Sequence, residues 1–284
     1  MKCLFYIFII FAISFNSGCQ KNSIKKNSEP RCIYDQSVFT QCCLKAVADE
    51  QAFASFKRDP FYSLLYQGYS FEEGLSFLHA IENHSPSLIT HFDVLRTNDE
   101  MGNPRIYDYG KYGLFSPTTL RHIQIAGRIR AHVGGAHHII QIGGGYGGLC
   151  KILHALSLWE SYTIVDLPEH LALARKVLEK EGIKNVRFLN LDAIPLDAEY
   201  DLVISDLSFS EFSRRFQKIF IDRILVHARS GYILGHVFPK HFGVEPFTPD
   251  ELKEYLEKKK NHIEMQYSKT ERADYHLFWK HPSQ

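Results

Sequence analysis

Residues 139–150 read IIQIGGGYGGLC: a short apolar run, five glycines among six residues, and the apolar start of a longer segment. Inside a regular element glycine costs about 0.5–1 kcal/mol relative to alanine, so such a cluster needs a steric cause. The usual cause is a tight strand-to-helix turn on which a ligand lies directly against the backbone. Gly143, Gly145 and Gly148 satisfy GxGxxG in that context, a weak signal alone and one that fits more than one nucleoside-bearing cofactor.

Around this loop the periodicity is that of an α/β sheet. Apolar strands are predicted at HHIIQI, SYTIVDL, NVRFLNL, YDLVISDL and SGYILGHVF, separated by helical stretches such as LCKILHALSLW, PEHLALARKVLEKEG and SEFSRRFQKIFIDRILVHA. Continuous apolar strands alternating with helices imply a parallel sheet covered on both faces. The end of the chain departs from this rhythm. Thr248, Pro249, Asp250 and Glu251 open a helix, after which HIEMQYS and DYHLFWKH read as two strands of an antiparallel hairpin at the sheet edge. The expectation for residues 134–284 is a Rossmann-like, doubly wound α/β sheet with a terminal antiparallel hairpin.

Upstream, residues 33–133 read as a small helical region. Ser70 and Glu73 form a capping box ahead of the apolar run GLSFLHAI. Phe53, Phe56, Phe61, Tyr62, Leu65 and Tyr66 recur at helical spacing, and such stripes are core far more often than ligand-facing, so they are assigned to the core. Residues 101–116 (MGNPRIYDYGKYGLFS) read as a loop crossing the surface. Ser116 then caps a helix with Pro117 in its first turn. Leu120, Ile123, Ala126, Ile129 and Val133 share one face of it before Gly134 and Gly135 end it.

Of the 284 residues, 45% are hydrophobic and 23% charged, which allows one sizeable core and a smaller second unit. A net charge of +1 without a long basic block gives no electrostatic argument for a nucleic-acid partner. The six cysteines are too few for a disulfide scaffold, and no CxxC pair suggests a zinc or redox centre. Residues 1–19 have the layout of an export signal, and Ser17-Gly18-Cys19 resembles a lipoprotein cleavage and lipidation site. The same segment reads alternatively as an uncleaved anchor. Lys21, Lys25, Lys26 and Arg31 in and near the polar linker, residues 20–32, would then keep the bulk of the chain on the cytoplasmic side of the membrane.

The second strand ends at Asp166, placed to accept hydrogen bonds from ribose hydroxyls of either a nicotinamide cofactor or S-adenosylmethionine. Two features favour the methyl donor: Asp192 and Ala193 at the end of the third strand, where an acidic side chain commonly meets adenine, and the closing hairpin. For Asp166 and Asp192 the plainer alternative is capping of the helices that follow.

The motifs together resemble the sugar O-methyltransferase family of class I S-adenosylmethionine-dependent enzymes. The resemblance is carried by Asn103-Pro104, by residues 107–110, by SPTTLR at 116–121 and by IGGGYGG at 142–148. It continues through VDLP at 165–168, FSE at 209–211 and the closing Tyr275 and Trp279, and covers about residues 35–280. It implies S-adenosylmethionine as cofactor, with Gly143, Gly145 and Gly147 near its methionine end, Asp166 and Leu167 at its ribose, and Asp192 and Ala193 at its adenine. Gln141 stands where the family's enzymes usually carry an acid that helps hold the methionine end. Asp206-Leu207 stand where Asn-Tyr is expected.

Methyl transfer to a hydroxyl needs in-line positioning of the reactants and a side chain that takes the proton. Candidates beyond the carboxyl ends of the fourth and fifth strands are Asp206, Glu211 and His236. Histidine has the intrinsic pKa best suited to a base near neutrality, whereas Glu211 is the candidate the resemblance supports. The alternatives are a structural histidine at a strand end and, for Asp206, a helix cap or a ligand to a divalent cation; no metal-ligand spacing accompanies it. Tyr107 and Arg121 are candidates for the acceptor side, with plain solvation the alternative for the arginine. The leading function is methylation of a sugar hydroxyl on a glycan or nucleotide sugar. The competing ones are a nicotinamide-dependent oxidoreductase and a membrane-tethered binding protein that keeps the fold without turnover.

Overall fold

The computed structural model of the chain describes residues 38–133, 136–195, 199–237, 244–259, 263–267 and 274–280. The signal or anchor assigned to residues 1–19 and the linker at 20–32 lie outside the described residues. Among the described residues no helix is long and apolar enough to cross a membrane.

The upstream region is helical, as its periodicity requires: α1 (Val38–Ala48), α2 (Glu50–Ala54), α3 (Pro60–Tyr66), α4 (Phe71–His84) and the short α5 (Phe92–Leu95), with 3-10 turns between α2 and α3, between α4 and α5, and after α5. The predicted capping box opens α4: the Ser70 side chain accepts from the Glu73 N–H, and the Glu73 carboxylate accepts from the Ser70 N–H at 2.8 Å. Residues 101–116 do more than cross the surface. They carry a two-residue antiparallel ladder, β1 (Tyr107–Asp108) against β2 (Leu114–Phe115), and bury Tyr109 and Phe115. The apolar rings override the turn composition.

α6 (Pro117–His132) follows, capped by the Ser116 hydroxyl, which accepts from the Thr119 N–H at 3.1 Å. Its Leu120, Ile123, Ala126 and Ile129 pack in the same core as Ile139, Ile164, Leu202 and Tyr232 of the sheet. α6 and the sheet thus share one core.

The sheet comprises β3 (His138–Ile142), β4 (Ser161–Asp166), β5 (Val186–Asn190), β6 (Tyr200–Asp206), β7 (Ala228–His236), β8 (Glu264–Tyr267) and β9 (Asp274–Lys280). Their order is β5-β4-β3-β6-β7-β9-β8. β3 to β7 are mutually parallel, and β9 runs antiparallel between β7 and β8. The expected terminal hairpin is present, with β8 as the edge strand. Alternation along each strand feeds two cores. Ile139, Leu202, Ile204 and Tyr232 face α6, α7 (Gly148–Ala155) and α8 (Pro168–Lys180). Ile140, Ile142, Val203 and Ile233 face α9 (Arg214–Phe220) and α10 (Pro249–Glu257). The fold is thus doubly wound α/β. One helical stretch is interrupted: residues 208–226 divide into a 3-10 turn (Ser208–Glu211), α9 and a π-helical turn (Ile221–Leu225), because Phe212 and Ser213 are extended.

The order reverses at β3, whose neighbours β4 and β6 are reached by crossovers to opposite sides. In open α/β sheets the ligand crevice lies outside the carboxyl ends of the strands at such a switch point. The glycine loop occupies that position.

Candidate active site

The loop is held left-handed at Gly143 (φ 77°), Gly145 (φ 54°) and Gly147 (φ 87°), the last serving as the cap of α7. Its close neighbours are side chains of the protein itself. A Cβ on Gly143 would fall 1.9 Å from the Ser208 hydroxyl, and one on Gly145 would fall 2.8 Å from the Tyr66 ring. The strand-to-helix turn is so tightly enclosed that only glycine fits these positions.

Asp166, at the carboxyl end of β4, organises the loop. One carboxylate oxygen accepts from the N–H groups of Gly144 (2.9 Å) and Gly145 (3.1 Å). The other accepts from the Leu167 N–H (2.8 Å) and meets Nδ1 of His170 at 2.9 Å. A carboxylate offers about four lone-pair sites, so the capping alternative and the loop contact together occupy it. A ribose hydroxyl approaching Asp166 has to replace one of these donors. Leu167 is buried as the cap residue of α8, while Asp192 and Ala193 lie exposed on the turn after β5. Asp166 is in register with Asn190, which puts Asp192 one strand over and two residues further out.

Gln141, on β3, bonds to the loop that follows it. It is buried, its Nε2 donates to the Gly143 carbonyl at 2.9 Å, and its Oε1 accepts from the Tyr162 hydroxyl at 2.7 Å. Its side chain thereby ties the loop to β4. A carboxylate at this position could not donate to that carbonyl, which gives glutamine a physical reason to be there.

On the acceptor side the candidates are partly joined. Arg121 Nη1 donates to Asp206 Oδ2 at 2.7 Å and Nη2 donates to Oδ1, with both side chains 9% exposed. Burial acts against the Arg121 charge, but the adjacent carboxylate outweighs it and raises the guanidinium pKa. Arg121 is therefore not merely solvated. The guanidinium also lies over the Tyr69 ring at 5.5 Å. Asp206 is thus held in place as the partner of Arg121, with one donor on each carboxylate oxygen. Among the described residues no cluster of three or more His, Cys, Asp or Glu side chains is arranged to hold a metal ion.

Glu211 is buried at the end of the 3-10 turn that follows β6. Ser205 and Ser210 fix this turn: Ser205 Oγ accepts from the Phe209 N–H, and Ser210 Oγ donates to the Leu207 carbonyl. Leu207 itself takes φ 69°, a region costly to a branched side chain, so the turn after β6 carries backbone strain. His236, at the carboxyl end of β7, pairs through Nδ1 with Asp274 at 2.7 Å. Tyr107 is not gathered with these residues by any described contact; its ring packs on Phe71 at 5.8 Å.

Two participants were not legible as such. Tyr66, assigned to a core stripe, lies against Gly145. Its hydroxyl pKa is raised well above the ordinary value by burial, then by the charges of Asp166, Glu211 and Asp206 among others. The ring is stacked at 5.1 Å on both Phe39 and Tyr62. Asn98 joins the two longest motifs: its Nδ2 donates to Thr119 Oγ1 at 2.8 Å and to the Tyr146 hydroxyl at 3.0 Å. Nothing in the spacing of either residue announces these contacts.

No family model matches the chain, and no curated protein matches it. Solved structures do. The methyltransferase domain of bacterial CtHen1-C aligns with a TM-score of 0.44 and 13% identity, over 57% of this chain and 97% of that one. The N-terminal domain of EvdMO1 with SAH bound gives 0.46 and 14%, over 68% and 94%. The glycopeptide N-methyltransferase MtfA complexed with sinefungin gives 0.44 and 13%, over 56% and 86%.

Proposed function

We propose that the protein is an S-adenosylmethionine-dependent O-methyltransferase acting on a sugar hydroxyl of a glycan or nucleotide sugar. The observation that carries the reading is the sheet itself. The glycine loop sits at the switch point of five parallel strands, and the far side is closed by an antiparallel strand, β9, inserted beside β7. A dinucleotide-binding sheet would instead be expected to continue with parallel strands. The sugar assignment draws on the resemblance carried by SPTTLR and IGGGYGG, segments that Asn98 ties into one unit.

Left-handed backbone at Gly143, Gly145 and Gly147 and the register of Asp166 with Asn190 suit a nucleoside-bearing donor lying across the ends of β3, β4 and β5. When bound, that donor supplies an electrophilic methyl group on a sulfonium. The protein contributes position and proton management. Gln141 and Asp166 fix the loop, Arg121 and Asp206 brace α6 against the end of β6, and Glu211 and His236 are the candidates for taking the hydroxyl proton. Attachment to the membrane through residues 1–19, with the domain on the cytoplasmic side, belongs to the same proposal and is tested by protease shaving of intact cells.

Calorimetry of the full-length protein tests the donor. S-adenosylhomocysteine is expected to bind at micromolar concentration and NADH not to bind. Tight NADH binding with no response to S-adenosylhomocysteine would replace this reading by an oxidoreductase. Donor binding without transfer to any sugar acceptor would favour a binding protein.

A further inference from the structure

His236 closes β7 and Asp274 opens β9, and the antiparallel ladder sets the two directly opposite each other. Their side chains meet, Nδ1 to Oδ1, at 2.7 Å, with the imidazole 17% and the carboxylate 16% exposed. The pair stands at the carboxyl end of β7. Asp206 is in register with Leu234, so His236 lies one strand over and two residues further out than the Arg121–Asp206 pair. Its backbone N–H donates at 3.0 Å to the hydroxyl of Ser210, the neighbour of Glu211 in the turn after β6.

We propose that His236 is the group that takes the acceptor's proton, and that Asp274 is its positioning residue. The inference rests on the methyltransferase reading. A carboxylate on Nδ1 holds the hydrogen there, leaves the lone pair on Nε2 and stabilises the imidazolium once it forms. As the acceptor oxygen bonds to the methyl carbon, the electron pair of the breaking carbon–sulfur bond stays on sulfur. The hydroxyl proton passes to Nε2. Methyl ether, neutral thioether and imidazolium account for all atoms and charges. Glu211, one residue beyond Ser210 and buried, then shapes the site without being the base.

A strap that merely fastens β9 to β7 would show the same distance, so the test reads tautomer and turnover rather than stability alone. Nitrogen-resolved NMR of the full-length protein is expected to find hydrogen on Nδ1 of neutral His236 and none on Nε2. Turnover is followed as S-adenosylhomocysteine release from S-adenosylmethionine with a panel of nucleoside-diphosphate hexoses and methyl hexopyranosides. Asp274→Asn should lower kcat at least tenfold with KM within twofold and an unchanged melting temperature. Asp274→Glu should recover part of the loss, and adding Asp274→Asn to His236→Gln should lower kcat no further. Hydrogen on Nε2 in the wild type, or an Asp274→Asn enzyme within twofold of wild-type kcat, overturns the assignment. Failure of the wild type to bind S-adenosylhomocysteine overturns the underlying reading, and the proton-accepting role falls with it.

Discussion

Arg121 and Asp206, 85 positions apart, lock the N-terminal half of α6 onto the carboxyl end of β6 through a two-armed ion pair that solvent barely reaches. Each charge is costly to bury and is held there by the other. Removing one partner leaves an uncompensated buried charge, a loss of about 3–5 kcal/mol, whereas replacing both by apolar residues is far milder. Arg121→Ala and Asp206→Ala should each shift the urea midpoint by that amount, and Arg121→Met with Asp206→Leu should recover most of it. Arg121→Lys should not restore stability, since an ammonium cannot make the two-armed contact. Single variants within about 1 kcal/mol of the wild type would mean that water screens the pair.

Gln141 invites the opposite experiment, restoring the acid that the resemblance leads one to expect. Gln141→Glu keeps an acceptor for the Tyr162 hydroxyl but loses the donor to the Gly143 carbonyl, setting two oxygens against each other. An unsatisfied buried group costs about 1–3 kcal/mol. The variant should therefore be destabilised by that amount in urea and bind S-adenosylhomocysteine more weakly. Tighter binding in Gln141→Glu would show that the side chain reaches the donor after all.

The contrast between these two sites explains what could be read in advance. Strand positions, the Ser70 capping box and the closing hairpin depend on local periodicity and turn chemistry, which adjacent residues encode. The order of the sheet follows from crossover rules acting on those elements. Which side chains meet is another matter. Gln141 and Tyr162 touch because parallel register puts Tyr162 beside Ile139, two residues from Gln141 on the same face. Asn98, in the 3-10 turn Arg96–Asp99, reaches Tyr146 across 48 positions of the chain. Tyr66 fits the helical apolar stripe perfectly well, and the stripe does not say that its last ring ends on a glycine. Asp274 looks like the polar start of an edge hairpin until β9 is inserted beside β7.

Lys57 supplies a pH-dependent signature of the packing behind the loop. It is buried between the N-terminal helices and the glycine loop, its Nζ donating to the Asn98 carbonyl at 2.9 Å and lying 4.3 Å from the centre of the Tyr146 ring. Burial pushes its pKa down to about 8 from the ordinary 10.5, with Asp99 opposing. Between those values the unfolded chain binds the proton that the folded one has released, so this group's contribution to stability rises with pH over that window. Fully integrated it amounts to about 3 kcal/mol. Cys43 and Cys150, raised by burial, work in the other direction as pH climbs past the ordinary thiol value. The readout is therefore the difference between wild type and Lys57→Met in urea unfolding at pH 7.5 and 9.5. The wild type should gain relative to the variant at the higher pH; a constant difference would place the ammonium in contact with solvent.

Gly145 and Gly182 separate the two reasons for a glycine. Both lie in the left-handed region, Gly145 at φ 54° and Gly182 at φ 67°, but a Cβ on Gly182 meets nothing within 4 Å, while one on Gly145 meets the Tyr66 ring at 2.8 Å. Gly182→Ala should therefore show the backbone cost alone, about 1–2 kcal/mol. Gly145→Ala should show that cost plus the displacement of a ring stacked on Phe39 and Tyr62. Adding Tyr66→Ala opens the space, so the double variant should be less destabilised than the two single losses predict, the signature of residues in contact. Additive losses in that cycle would mean that Tyr66 yields freely, and the ring could then not be what shapes the loop against its ligand.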